Sequence, residues 1–259
     1  MPILFELKDH VARVTIDRPD VLNAIDAASE RELQRIWSEI ENNRDVRCVV
    51  LTGSGERAFS TGADMKGGSG ASGLEYFALS RPGGFGGIAL RDTLDVPVIA
   101  RVNGHAMGGG AGLVACADYA IAVEGARFAF SETRLGIIPA LISPYVLRAI
   151  GPGHTRALFT TGRAFDAAEA YRIGLVHRVV GEGELDAAVA EATADLLAAG
   201  PVAVAESKRL VRDATASLAL DDLPRRIAAL RVAPEGQEGL TAFVEKRKPG
   251  WVPDRSDES

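Results

Sequence analysis

Cysteine is scarce: two in 259 residues, Cys48 and Cys116, both within apolar runs. That excludes a disulfide framework, and the pair reads as buried free thiols in a reducing compartment. Histidine is nearly as rare, with four residues, and no His/Cys/Asp cluster has metal-ligand spacing, so no metal is expected. No apolar run approaches the roughly 18 residues that a membrane span needs. The N-terminal stretch carries Glu6, Lys8 and Asp9 and lacks the long apolar core of a signal peptide, so the expected location is cytoplasmic. A cationic excess is also missing. With 29 Lys and Arg against 35 Asp and Glu, the net charge of −6 argues against a nucleic-acid partner. The serines show no nucleophile-elbow pattern.

What is present is strand and helix patterning. Ile3–Leu7 and Val11–Ile16 read as strands, the second with Ala12, Val14 and Ile16 on one face. Asp26 is placed to cap a helix whose buried stripe is Leu33, Ile36, Trp37 and Ile40. Cys48–Thr52, a continuous apolar run, reads as a strand buried on both faces, followed by a connecting loop over Gly53–Ser60. Val98–Val102, Tyr119–Val123, Arg127–Phe130 and Leu175–Val180 are further strands. Helices are expected from Gly109 to about Ala117, from an N-cap at Ser143 to near Gly151, and from Asp166 to Gly174. From Glu184 onward the pattern is helical, broken at Gly200-Pro201, Pro224 and Pro234, and no internal sequence repeat is evident. The class is α/β, with residues 1–195 as a core and 196–259 as a helical region. Eight glycines between Gly67 and Gly87, with Tyr76, Phe77, Pro82 and Phe85 nearby, read as a lid or binding loop, with disorder as the alternative.

Chemistry concentrates in three segments. Gly62-Ala63-Asp64 follows a strand and its loop, so its backbone N–H groups either face a ligand or close an ordinary glycine turn. Gly108-Gly-Gly-Ala-Gly112 opens a helix with four glycines in five residues. Each costs about 1 kcal/mol relative to alanine, so the run needs a compensating reason. One reason is close approach to an anionic ligand at the helix N-terminus, and another is tight packing against a neighbouring element. Glu132 stands at a strand end before Gly136–Pro139 and is either a general acid/base or a surface carboxylate. His105, near the glycines, reads as a packed neutral histidine, and His10, His154 and His177 have no partner spacing.

Together, Asp17–Ala24, Phe59–Lys66, Pro97–Gly110, Phe128–Pro139 and Phe243–Lys248 resemble the enoyl-CoA hydratase/isomerase (crotonase) superfamily, in order along nearly the whole chain. The resemblance implies a spiral of repeated ββα units with a C-terminal helical region that trimerises, as a trimer or a dimer of trimers. It implies that the N–H groups of Ala63 and Gly109 form an oxyanion hole for a thioester carbonyl, with Glu132 as acid/base. The nucleotide end of coenzyme A would lie near Ala24 and Ala63, Asp64, Met65 and Lys66, and Phe243 and Lys246 would reach the CoA of a neighbouring subunit. Coenzyme A is then part of the substrate, and no separate cofactor is expected.

One position departs from the family's two-glutamate pattern. The first glutamate, three residues after the oxyanion glycine, is matched by Gly112, which shares a helix face with Gly109. Three accounts follow: a hydratase relying on Glu132, with Tyr145 or Ser143 holding the water; a 3,2-enoyl-CoA isomerase with one proton-shuttling carboxylate; or space at Gly112 for a bulky or branched acyl chain. Ile137–Gly151 resembles bacterial branched-chain or methylglutaconyl-type hydratases and favours hydration of a 2-enoyl-CoA. A distal carboxylate on the substrate would pair with Arg81, Arg91 or Arg134. A non-catalytic acyl-CoA-binding or RNA-binding member is the reading from another class.

Overall fold

The computed structural model describes residues 2–64, 94–217, 229 and 233–253. Met65, Lys66, Arg81, Arg91, Pro224 and the Gly67–Gly87 segment lie outside the described residues.

Two sheets organise the chain. The larger takes β1 (Ile3–Lys8), β2 (Val11–Ile16), β3 (Cys48–Gly53), β5 (Val98–Val102), β7 (Tyr119–Val123) and β10 (Arg178–Val180), in that spatial order. Only β1–β2 is antiparallel, and every other pair runs parallel. The smaller sheet takes β4 (Ala58–Ser60), β6 (His105–Met107), β8 (Arg127–Ala129) and β9 (Ala164–Asp166). Each pair β3/β4, β5/β6 and β7/β8 sends its first strand to the large sheet and its second to the small one. A structural repeat thus exists where no sequence repeat is evident, and the expected loop over Gly53–Ser60 contains a strand.

The core follows the alternation. Ala12, Val14 and Ile16 on β2 are fully buried, and β3 is buried at every position, as a parallel strand covered on both faces should be. α1 (Ala27–Glu41) starts where the Asp26 carboxylate accepts from the Ser29 N–H at 2.8 Å, and it buries Leu33, Ile36, Trp37 and Ile40. α2 (Gly109–Ala115) follows β6. α3 (Ser143–Thr161) differs from expectation at both ends. Its N-cap is Ile142, because the Ser143 hydroxyl instead donates to the Ala140 carbonyl at 2.9 Å. Gly151 (φ 70°, ψ 167°) kinks the helix and does not end it, and Pro152, which cannot continue a hydrogen-bonded turn, starts the second half. α4 (Ala167–Arg172) is capped by Asp166, which accepts from the Glu169 N–H. β10 is shorter than expected, although Leu175 and Val176 before it are buried.

Beyond β10 every described element of length is helical: α5 (Leu185–Ala198), α6 (Pro201–Ser217) and α7 (Pro234–Glu245). The 195/196 boundary therefore falls inside α5. Arg47, before β3, donates to the carbonyls of Leu197, Ala199 and Trp251, and Lys208 on α6 pairs with Asp118 at 2.7 Å. These bonds tie the helical region to the sheet. No single helix among the described residues is long and apolar enough to cross a membrane. Cys48 and Cys116 are both buried, and no disulfide joins them.

Candidate functional site

Three chain segments meet at the C-terminal ends of the small sheet's strands. β4 pairs parallel with β6, and β6 with β8, so the residues after each strand emerge side by side. After β4 come Thr61, Gly62 and Ala63. After β6 come Gly108 and the start of α2. After β8 come Phe130, Ser131 and a 3-10 turn over Glu132–Leu135.

The first two segments approach without side chains between them. Gly62 has φ +83°, and a Cβ there would lie 2.7 Å from the Gly109 nitrogen and 2.9 Å from the Met107 carbonyl. Only glycine permits both the conformation and the contact. Next to it, Ala63 forms an isolated parallel bridge with Ile25, using the Gly62 carbonyl and the Asp64 N–H. Backbone alternation turns the Ala63 N–H away from that bridge, and among the described residues nothing accepts it. The Gly109 N–H opens α2 and has no carbonyl four residues back within the helix. Ala63 and Gly109 thus expose adjacent backbone donors, one of them at a helix N-terminus.

A second fixture holds the Ala63 segment. The Arg18 guanidinium donates to the Ala24 carbonyl at 2.6 Å and pairs with Asp64 at 3.2 Å and Asp26 at 3.1 Å. Ala24 and Asp64 are therefore brought together, with Arg18 between them. The Asn23 amide, buried beside them, donates to the Ala58 carbonyl at 2.7 Å and fastens β4 to the same turn.

Glu132 is positioned from behind. Phe130 is fully buried and packs edge-on against Phe159 of α3, and the Thr133 hydroxyl donates to the Phe159 carbonyl at 2.8 Å. Gly136 in the left-handed region closes the turn, with the Ile137 N–H donating back to the Glu132 carbonyl. The carboxylate overlies Gly108, where a Cβ would sit 3.3 Å from Oε1. Its Oε2 is buried and has no hydrogen-bond partner among the described residues. Burial pushes the carboxyl above the usual glutamate range, opposed in part by a hydrogen bond from its own backbone. An under-solvated carboxylate facing a cavity holds a proton more readily than an exposed one and is suited to proton transfer.

That cavity measures about 520 Å³. Thr61, Ala63, Gly108, Gly109, Ser131 and Glu132 line one side, and residues 135–142 line the other. The far side is apolar: Leu135, Ile137, Ile138, Pro139, Leu141 and Ile142. The lining holds three polar side chains, and that of Thr61 already donates to the Leu22 carbonyl. A mostly apolar cleft with a few convergent polar groups is the usual form of a small-molecule site.

The family profile described as enoyl-CoA hydratase/isomerase matches residues 6–254. A carnitinyl-CoA dehydratase from Citrobacter koseri is 37% identical over 252 residues, spanning 93% of this chain and 94% of the relative. The crystal structure of an enoyl-CoA hydratase from Shewanella pealeana superposes with a TM-score of 0.88 at 35% identity, covering 97% of this chain and 96% of the other. AtuE of Pseudomonas aeruginosa superposes with a TM-score of 0.90 at 35% identity, covering 98% and 100%. The chain belongs to the enoyl-CoA hydratase/isomerase family. The two-sheet architecture is the crotonase fold, in agreement with the resemblance read from the motifs.

Against the two-glutamate pattern that the resemblance implies, Gly112 is not an opening in this chain. A Cβ on residue 112 would lie 2.2 Å from Cγ2 and 2.7 Å from Cβ of Ile142. The expected room for a bulky acyl chain is already occupied. Tyr145 and Ser143, the expected water holders, are not among the cavity-lining residues: Tyr145 carries Arg148 over its ring at 5.2 Å, and Ser143 bonds Ala140. Arg134 does not line the cavity either, and its side chain packs against Gly162 at the end of α3. His105 is exposed and accepts from the Arg127 N–H, joining β6 to β8, so it is not the packed residue expected. Phe243 lies on α7, and Lys246 follows its end, exposed and not among the residues lining the cavity of its own chain. Sequence reasoning missed Ile142 and Arg18. Arg18 lies within the motif at the chain's start, but nothing local reveals that it grips Asp64.

Proposed function

We propose that the enzyme is a hydro-lyase that adds water to, or removes it from, the double bond next to an acyl-CoA thioester. The observation that carries this reading is the Glu132 carboxylate with its unpartnered buried oxygen, set beside the backbone donors of Ala63 and Gly109. The name of the Citrobacter relative, a dehydratase, supports the same class of reaction.

In the hydration direction the ionised Glu132 takes a proton from water as the water oxygen bonds to C3. The C2–C3 π electrons move toward the thioester, and charge gathers on its oxygen. The N–H groups of Ala63 and Gly109 meet that charge, each such donor being worth about 3–4 kcal/mol in a transition state. Protonated Glu132 then delivers its proton to C2 and returns to the carboxylate. Water has been added, and the enzyme is unchanged. Ile142 at the Gly112 position leaves Glu132 as the one carboxylate lining the described cavity, so it carries both proton transfers.

The same occlusion favours a second reading. A 3,2-enoyl-CoA isomerase needs one carboxylate to move a proton between C4 and C2, and it needs no water. A two-substrate assay separates them. Loss of conjugated enoyl absorbance from a 2-enoyl-CoA identifies hydration, and its appearance from a 3-enoyl-CoA identifies isomerisation. Silence on both, with tight binding of acyl-CoA, favours the non-catalytic binding member. The nucleotide end of coenzyme A is assigned to the Ala24 and Ala63–Lys66 region, and Phe243 and Lys246 to the CoA of a neighbouring subunit in a trimer or hexamer.

A further inference from the structure

We propose that Ile142 sets acyl-chain specificity by plugging the notch above Gly112. The inference rests on the cavity being an acyl-thioester site. Gly112 lies one helical turn beyond Gly109 on the same face, so a side chain there would point along the acyl group held at Gly109. The turn is fully occupied. Ile142 Cγ2 stands 2.2 Å and Cδ1 3.4 Å from the position of a Cβ on residue 112. Ile142 is 3% exposed, and what surface it retains forms part of the cavity wall. Ile142 is also the N-cap of α3, its carbonyl accepts from the N–H of the fully buried Val146 at 3.0 Å, and the plug is thereby anchored at the helix start.

Two residues 30 positions apart thereby share one volume. Glycine at 112 makes room for the branched side chain, and the branched side chain replaces whatever a longer residue at 112 would have presented. The wall facing the carbons next to the thioester is consequently apolar and narrow. Straight acyl chains fit against it, and a methyl branch at C3 meets Ile142. One methylene in a well-packed apolar pocket changes selectivity by about 10- to 200-fold.

The test is binding of two saturated thioesters, which cannot react by either proposed route: butanoyl-CoA and 3-methylbutanoyl-CoA, by titration calorimetry. The parent is expected to prefer the straight chain. Ile142→Ala is expected to shift the ratio of dissociation constants at least about tenfold toward the branched chain, since it removes more than one methylene. Ile142→Val, which keeps the fold more safely, is expected to shift it less in the same direction. Gly112→Ala combined with Ile142→Ala puts a methyl back into the notch and is expected to return the ratio part-way to the parent's. Tight binding of both thioesters with a ratio that neither Ile142→Ala nor Ile142→Val moves would overturn the assignment of Ile142 and leave the thioester reading standing. A parent that binds neither thioester would overturn the thioester reading, and the inference with it.

Discussion

Glu132→Gln should destroy activity and stabilise the fold, and the two effects together test whether this carboxylate is held in an unfavourable state for function. Oε2 is buried without a partner, and burial raises the pKa. An ionised oxygen buried without a partner costs about 1–3 kcal/mol or more, and the neutral amide that replaces it at the same place costs less because no charge is desolvated. The carboxyl keeps partial access to the cavity, so the low end, about 1 kcal/mol, applies after allowance for solvent. In a chain of this size that corresponds to a Tm rise of about 2–4 °C on replacement by the uncharged isostere. The sign with pH follows from linkage. With the folded pKa raised, the native state binds more protons than the unfolded state between the ordinary glutamate pKa and the shifted one. Stability of the parent therefore falls as pH rises through that window. The Tm difference between variant and parent should be near zero below the ordinary glutamate pKa and reach its full size above the raised one. Calorimetry at fixed protein concentration over a pH series reads this directly. Turnover should fall by about 10²–10⁴, the usual contribution of a general acid/base. The parent's kcat/KM should rise with pH through an apparent pKa above that of an ordinary glutamate, because both directions start from the ionised form. A variant less stable than the parent at neutral pH, or a Tm difference that ignores pH, would refute the electrostatic argument. Activity within tenfold of the parent would refute the role.

Three further outcomes are expected. Gly110→Ala places a Cβ 2.0 Å from the Ser60 carbonyl oxygen, a backbone atom that cannot step aside, so the urea midpoint should drop by the equivalent of about 3 kcal/mol or the protein should fail to fold; a parent-like midpoint would contradict the packing of α2 on β4. Arg18→Met removes the grip on Asp64, Asp26 and the Ala24 carbonyl, so kcat should fall more than about tenfold as the Ala63 donor loses its position, with Arg18→Lys recovering little because an ammonium lacks the planar fork; an unchanged kcat in steady-state assays would remove Arg18 from the site's support. Sedimentation should give a trimer or hexamer, and a stable monomer would contradict the role assigned to the helical region.

Five strands of the large sheet and α1 are legible in the sequence because strands of five or six residues display period 2 or continuous burial, and a 15-residue helix displays its stripe; β10, of three residues, is legible only as the end of the longer stretch Leu175–Val180. In the small sheet only β8 is legible, as the run Arg127–Phe130; β4, β6 and β9, three residues each, are too short to alternate. Yet that sheet is the one that aligns Ala63, Gly109 and Glu132. Their selection comes from motif resemblance, and no local pattern would have produced their convergence. Ile142 was invisible for a different reason. Glycine at 112 reads as space because a missing side chain is apparent in a sequence, whereas the residue that fills it stands 30 positions away. Arg18 and Asp64, 46 positions apart, pose the same problem for charge.

The glycine run over 108–112 is consequently explained mostly by packing. Gly108 makes room for the Glu132 carboxylate, Gly110 for the Ser60 carbonyl and Gly112 for Ile142. The last two contacts give a reason for residues that cost about 1 kcal/mol each within α2, and Gly108, its N-cap, sits at φ +51°, which itself favours glycine. An anionic ligand is therefore not needed to account for three of the four glycines, and the run by itself carries less functional weight than its density suggests. The weight moves to features packing does not require: the Ala63 and Gly109 N–H groups laid side by side, and a buried carboxylate oxygen with no partner among the described residues. A fold optimised for stability alone would pair such groups. Their persistence together at one cavity is the physical case for catalysis, and packing only brings the backbones close enough for them to act jointly.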